Sequence, residues 1–154
     1  FRNSWLQKMA PQIGVRETRR VLGDYVISTD DILGAARFPD AVMRGCYGID
    51  IHDPLGAGCK WRTPKSGECY EIPYRAITPR NVENLLMACR AISASHEAHA
   101  AIRVMPQMIT LGHAAGAAAA MAAQAGGDVR DVNVADLQQS LVRQGANLAP
   151  GEAQ

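Results

Sequence analysis

Apolar positions change spacing several times along the chain. Residues 1–13 carry no clear period and run into Pro11, so an arm is expected there. Over 14–28 (GVRETRRVLGDYVIS) two β-rich runs stand out, at Val21 with Leu22 and at Tyr25 to Ile27. Thr29 is the expected N-cap of a short helix over 30–36, with Asp30 and Asp31 in a first turn whose free amides favour negative charge. Residues 41–52 read as one strand ending at the Asp53-Pro54 turn. Residues 53–68 are rich in Gly, Pro and charge without an apolar period, which predicts a loop, with Trp61 either its buried anchor, the commoner case, or an exposed contact residue. At 69–75, Tyr70, Ile72 and Tyr74 alternate with other residues, and Pro73 confines that strand to an edge or a bulge.

The second half has longer signals. Residues 84–89 (NLLMAC) form a continuous apolar run, the pattern of a strand buried on both faces. A polar turn over 90–95 follows, then a helix within 105–125 that opens with Pro106 in its first turn and stops at Gly126-Gly127. Asn133 and Asp136 make a capping-box-like pair ahead of a helix with Val134, Leu137, Leu141 and Val142 on one face, closed by Gly145. The expected fold class is α/β with mixed α+β content: strands plus a buried Ala-rich helix.

Composition narrows the function. The chain has 154 residues, and 16 Lys+Arg against 15 Asp+Glu leave a net charge of +1, which argues against a dedicated nucleic-acid binder. An apolar share of 47% supports a core and argues against disorder. Alanine supplies 25 residues, 9 of them among the 12 of 114–125. The four cysteines, separated by 13, 10 and 20 positions, contain no CxxC and are expected as unpaired thiols. With His52, His96, His99 and His113 they lack the short-range ligand pairs of a zinc site. The apolar stretch 108–125 is too short and too interrupted for a membrane span. A start at Phe1 raises the expectation of a portion of something longer.

The chemistry is expected in the unit 84–125. Gly and Ala expose little side chain, so another backbone or a flat ligand can approach that helix, and its first amides favour an anion or a carbonyl-type oxygen. Close packing against a sheet is the plainer alternative. The run NLLMACRAISASHEAHAAIRVMPQMITLGHAAGAAAAMAA (84–123) resembles the C-terminal signature of the FAD-dependent oxidoreductase family, two-domain flavoproteins related in architecture to the glutathione-reductase and fumarate-reductase groups. GVRETRRVLGDYV (14–26) and YEIPYRAITP (70–79) resemble two further family segments in the same order. The chain departs from that pattern at Cys89, where glycine is usual, at Gln107-Met108, where Thr-Cys is common, and at His113, which replaces a Gln.

The resemblance implies FAD and hydride transfer between the flavin and a small polar, carbohydrate-like or carboxylate substrate. It places cofactor contacts near Arg90, Ile92, Ser93, Gly112, Ala115 and Gly116, with the 84–89 strand in the sheet of the FAD-binding domain. His113 is open between a flavin-oxygen contact and a core histidine. His96 and Arg103 match a His and an Arg that hold a carboxylate in fumarate-reductase-like relatives, and they are the expected catalytic pair. Turn capping and a structural ion pair are the alternatives for the two. Glu97 is a weaker candidate, and His99 is expected at the substrate. Arg16, Glu17, Arg19 and Arg20 are expected in an interdomain ion-pair network, with Arg19 reaching substrate. No GxGxxG occurs, so an N-terminal FAD-binding part, of the same protein or a separate chain, is the expected partner. The expected layout is an arm over 1–13 and part of a substrate or cap region over 14–82, then part of the FAD-binding domain over 83–145 and a flexible tail over 146–154. The competing class is a non-catalytic interaction domain that kept helix and sheet for packing alone.

Overall fold

The computed structural model describes residues 2–53, 55–56, 58–65 and 67–148. Four strands and four helices occur in the order α1 (Thr29–Leu33), β1 (Ala41–Gly45), β2 (Ile49–His52), β3 (Cys59–Arg62), β4 (Tyr70–Pro73), α2 (His96–Ile102), α3 (Met105–Ala125) and α4 (Val134–Arg143). Single 3₁₀ turns at Tyr74–Ala76 and Val129–Asp131 complete the set. The class is mixed α/β, and both sheets are two-stranded and antiparallel.

The expected strand over 41–52 is two strands in different sheets. β1 pairs with β4 and β2 with β3. The break falls where the backbone passes too close for a side chain. A Cβ on Gly48 would lie 2.7 Å from the Arg62 carbonyl oxygen, and one on Gly45 would lie 2.7 Å from the Gln107 amide and 2.9 Å from the Tyr70 ring. The loop expected over 53–68 contains β3, whose four residues are all exposed, so no apolar alternation announces it. Trp61 is half exposed and meets the Tyr47 ring edge-on at 5.0 Å, so it is an exposed contact and not a buried anchor.

Two further strand expectations fail. Over 14–28 there are only isolated bridges, Gly23 to Pro79 and Ile27 to Ala94. Residues 84–89 are irregular and exposed or half-buried. The Met87 amide donates to the Ile77 carbonyl, but no ladder forms on the segment among the described residues. An apolar run cannot fix itself as a strand without a neighbour to take its amides and carbonyls. α1 is capped by Ser28 instead of Thr29, in a reciprocal box with Asp31, and it ends at Leu33. α2 replaces expected loop. Ser95 caps it through the Ala98 amide, and its Ala-rich sequence has no long period to read.

The two long helices match expectation. Pro106 sits in the first turn of α3, and Gly126 ends it in the left-handed region at φ 65°. Asn133 caps α4 through the amides of Ala135 and Asp136, and its buried residues are Leu137 and Leu141. α3 packs on β1 and on α4, and α2 packs on β2. One core runs from Ile27 and Ile32 through Met43, Tyr70 and Ile72 to Ile102, Leu111, Ala118 and Leu141. Ala146 and Leu148 pack against it, while 149–154 lie outside the described residues.

Cys46 and Cys69 form a disulfide, with Cα atoms 4.4 Å apart, so these two are not the free thiols expected. They follow directly on the last β1–β4 pair, Gly45 with Tyr70, and it is the ladder that brings them together. Cys59 and Cys89 are free and exposed. The cross-link spans 23 positions and closes a loop that contains the whole β2–β3 hairpin. Loop-closure entropy assigns it about 3 kcal/mol. The Cys46→Ala/Cys69→Ala variant is therefore expected to lose about that much in equilibrium urea unfolding. An unchanged midpoint and slope would contradict the pairing.

Candidate functional site

The chemistry gathers where α2 turns into α3. Ser95 starts α2, so His96 stands on its first turn instead of in a loop, and His99 follows one turn later. Arg103 is the C-cap of α2, and Val104 is already the N-cap of α3. A cleft of about 180 Å³ opens beside this corner, lined by Arg16, Glu17, Asp50, His52, His96 and Arg103 among others.

Glu17 organises the cleft. One of its carboxylate oxygens accepts from His96 Nδ1 at 3.0 Å, it pairs with Arg20, and it lies 3.4 Å from His99 Nδ1. The carboxylate can only accept, so the nitrogen that carries a proton towards Glu17 is His96 Nδ1. His99 is fully buried, and its Nε2 donates to the Arg90 carbonyl at 2.8 Å. Its Nδ1 has no hydrogen-bond partner, because the nearby Glu17 oxygen lacks hydrogen-bonding geometry. Burial is the largest influence on His99 and pulls its pKa below the usual histidine range. The bond to Arg90 opposes that, and the cations Arg20 and Arg103 reinforce it.

Arg103 is the main cation. Its Nη2 donates to the Asp50 carbonyl at 3.0 Å, and no carboxylate lies within ion-pair distance of its guanidinium among the described residues. Burial, and next the charge of Arg16, lower its pKa. The Asp50 carboxylate is occupied elsewhere. It accepts from Cys59 Sγ at 2.6 Å, and that bond holds its pKa low and the thiol's high.

On the other side of the corner, α3 begins without a side-chain cap. No side chain therefore caps the first amides, Pro106 has none, and a 21-residue helix adds its dipole there. An apolar cleft of about 330 Å³ lies beside it, between Ala88, Cys89 and Arg90 and the α3 residues Met105, Met108 and Ile109. Gly112 and Gly116 lie on the exposed side of α3, and a Cβ on either would meet nothing within 4 Å. Arg90 spans the corner, its Nε donating to the Arg103 carbonyl at 3.3 Å.

The structure thus brings His96 and Arg103 into one cleft, with His99 beneath them. It separates others. Arg19 is exposed and does not line the cleft; Arg16 does. Ile92 and Ser93 are enclosed in the core, with the Ser93 backbone bonded to Ala76 and Ile27, so neither side chain faces a ligand. Ala115 is buried, and the amides of Gly112 and Gly116 belong to the helix interior, so these positions offer an open face and not free donors. His113 bonds the Gln144 side chain at 2.8 Å. Glu97 pairs with Arg62 and accepts from Thr29 outside the cleft. Glu17, expected only in an ion-pair network with its arginine neighbours, is the residue whose bond to His96 the sequence did not show.

The cleft carries the guanidiniums of Arg16 and Arg103 together with the carboxylates of Glu17 and Asp50 and the imidazoles of His52 and His96, and a second, flatter apolar cleft lies beside the start of α3. The family model described as FAD dependent oxidoreductase matches residues 1–141, and the chain belongs to that family. Membership makes this a flavoprotein chain with FAD as the cofactor and flavin-linked redox chemistry as the function. No curated protein and no solved structure matches the chain. The residues fit an FAD group on one side only: the uncapped start of α3, Arg90 and the open Gly112–Gly116 face are the groups able to hold it.

Because the folded pKa of His99 is depressed, the unfolded chain binds the extra proton between that value and about 6.5. This contribution is intact above pH 6.5 and is lost as pH falls towards the folded value. Urea midpoints measured from pH 7.5 down to 5 are expected to fall, and His99→Gln is expected to flatten that slope. An equal slope in the variant would remove His99 from the acid response.

Proposed function

We propose that this chain forms the substrate-binding and proton-handling side of a flavin oxidoreductase that oxidises a small hydroxylated carboxylate, or runs that reaction in reverse. The observation that supports it most is the unpaired cation pair in the cleft, Arg103 with Arg16, beside a histidine oriented by a carboxylate. Arg103 holds the substrate carboxylate in a charge-assisted fork while Arg16 adds field. His96, held through Nδ1 by Glu17, presents Nε2 to the substrate hydroxyl and takes its proton as the carbinol carbon gives up hydride. The proton would end on His96 Nε2, and a bound flavin would supply the acceptor for the two electrons, leaving a carbonyl product.

Arg90, the first amides of α3 and the face along Ile109, Gly112 and Gly116 are the groups proposed to hold the flavin. An amide-rich helix start stabilises negative charge on a reduced ring. The pyrophosphate fingerprint is proposed to come from an N-terminal FAD-binding part, in the same protein or as a partner chain, since these 154 residues contain no GxGxxG.

In the flavin-loaded protein, Arg103→Met is expected to lower kcat/KM roughly 10- to 100-fold, the loss of one charged hydrogen-bond fork. Arg103→Lys should recover part of it, with FAD content unchanged. Stopped-flow flavin reduction under anaerobic conditions reads this directly. Reduction at the parent rate in Arg103→Met would remove Arg103, and with it the anion cleft, from the reaction.

A further inference from the structure

The β2–β3 hairpin carries a cluster of metal-ligating side chains, two of which, Asp50 and His52, also line the cleft beside Arg103. Side chains two apart on a strand share a face, so Asp50 and His52 project together from β2. The register sets Cys59 of β3 directly opposite His52. One donor atom from each of the three lies within 4.8 Å of the other two. Asp50 Oδ1 is the hub, 2.6 Å from Cys59 Sγ and 3.4 Å from His52 Nε2.

We propose that Asp50, His52 and Cys59 form a binding site for a divalent cation of the zinc class, held across the hairpin. The donor set carries the identification. A thiolate and an imidazole select borderline d-block cations over magnesium or calcium, and the carboxylate completes a set of three. Three protein ligands with one position left for water is the arrangement of open zinc sites. Metal–ligand bonds of about 2.0–2.3 Å place tetrahedral donors roughly 3.5 Å apart, so the His52–Asp50 spacing already suits, and the thiol has to withdraw from Asp50 by about 1 Å. On binding, the Cys59 S–H bond breaks, its proton goes to solvent and the sulfur becomes a ligand. The two negative charges of thiolate and carboxylate then face a divalent cation, against the repulsion of Arg103, which bonds the Asp50 carbonyl.

Cys59 and His52 are exposed, so a cation has access, and removing the thiol leaves the core intact. The other free thiol, Cys89, belongs to the apolar cleft beside α3, and Cys46 and Cys69 are consumed in the disulfide. The hairpin lies within that disulfide loop, and a bound cation would tie its two strands together a second time. Nothing in this proposal depends on the flavin reading.

The test is a Co²⁺ titration of the oxidised protein without thiol reductant, read as difference spectra against the metal-free form. Saturable one-to-one binding is expected, with a thiolate-to-cobalt charge-transfer band and the intense visible bands of a four-coordinate site, both discharged by Zn²⁺. Cys59→Ala should abolish the charge-transfer band and Cys89→Ala should retain it. Asp50→Asn and His52→Ala should each weaken binding tenfold or more. Absence of the band at millimolar Co²⁺, or a band that survives Cys59→Ala, would overturn the site.

Discussion

The Tyr70 hydroxyl is the joint on which the corner between α2 and α3 depends. Tyr70 is fully buried, and its oxygen lies 2.8 Å from the Gln107 amide group, 3.1 Å from the Tyr47 carbonyl and 3.2 Å from the Ala101 carbonyl. With the Gln107 amide oriented to donate, its nitrogen reaches the carbonyls of Ala101 and Ile102, and its oxygen accepts the Tyr70 proton. Those carbonyls are among the last of α2, and a seven-residue helix has no means of satisfying them itself. Burial raises the Tyr70 pKa well above the ordinary phenol value, so the proton stays in place. β4 is thereby bonded to the end of one helix and the beginning of the next.

Everything with chemical potential is hung from that joint. Arg103 and His99 come from α2, the uncapped amides from α3, and Asp50 and His52 from a hairpin whose neighbouring loop carries the Tyr47 carbonyl. The closeness of Gly45 to both Tyr70 and Gln107 shows how little room the joint has. Arg90 adds a second tie. Its carbonyl takes the buried His99 proton, and its side chain bonds the Arg103 backbone. The segment over 14–28 then contributes one carboxylate, Glu17, which bonds His96, pairs with Arg20 and lies near His99. An isolated surface ion pair is worth little for stability, but the bond from His96 Nδ1 to Glu17 orients that ring.

What the sequence made legible follows from how local each signal is. The two long helices are marked by residues with one physical meaning each: Pro106 inside a first turn, Gly126 at a left-handed C-cap, Asn133 bonded to the amides after it. The edge strand at Tyr70–Pro73 is marked in the same way by Pro73. β3 was invisible because all four of its residues are exposed, and α2 because Ala and His give a short helix no period. The 84–89 run was misread because apolar content describes an environment, and here the segment finds no ladder to join among the described residues. Partners brought together by the fold were equally hidden. Cys46 with Cys69, Cys59 with His52, and Glu17 with His96 are long-range products of strand register and an arm. His96 and Arg103 are expected as a pair from resemblance alone; spacing does not show that both line one cleft.

The central claim is that the cleft under Arg103 and the proposed flavin face of α3 are parts of one site that meets at the corner where Arg103 caps α2 and Val104 caps α3. It is tested most directly by titrating oxalate, a carboxylate that cannot react, into the flavin-loaded protein while recording the visible flavin spectrum. The account predicts a saturable perturbation of the flavin bands that is lost in an Arg16→Ala/Arg103→Met variant retaining its FAD. Oxalate binding established by calorimetry with no change in the flavin spectrum, or a perturbation that persists in the double variant, would contradict it.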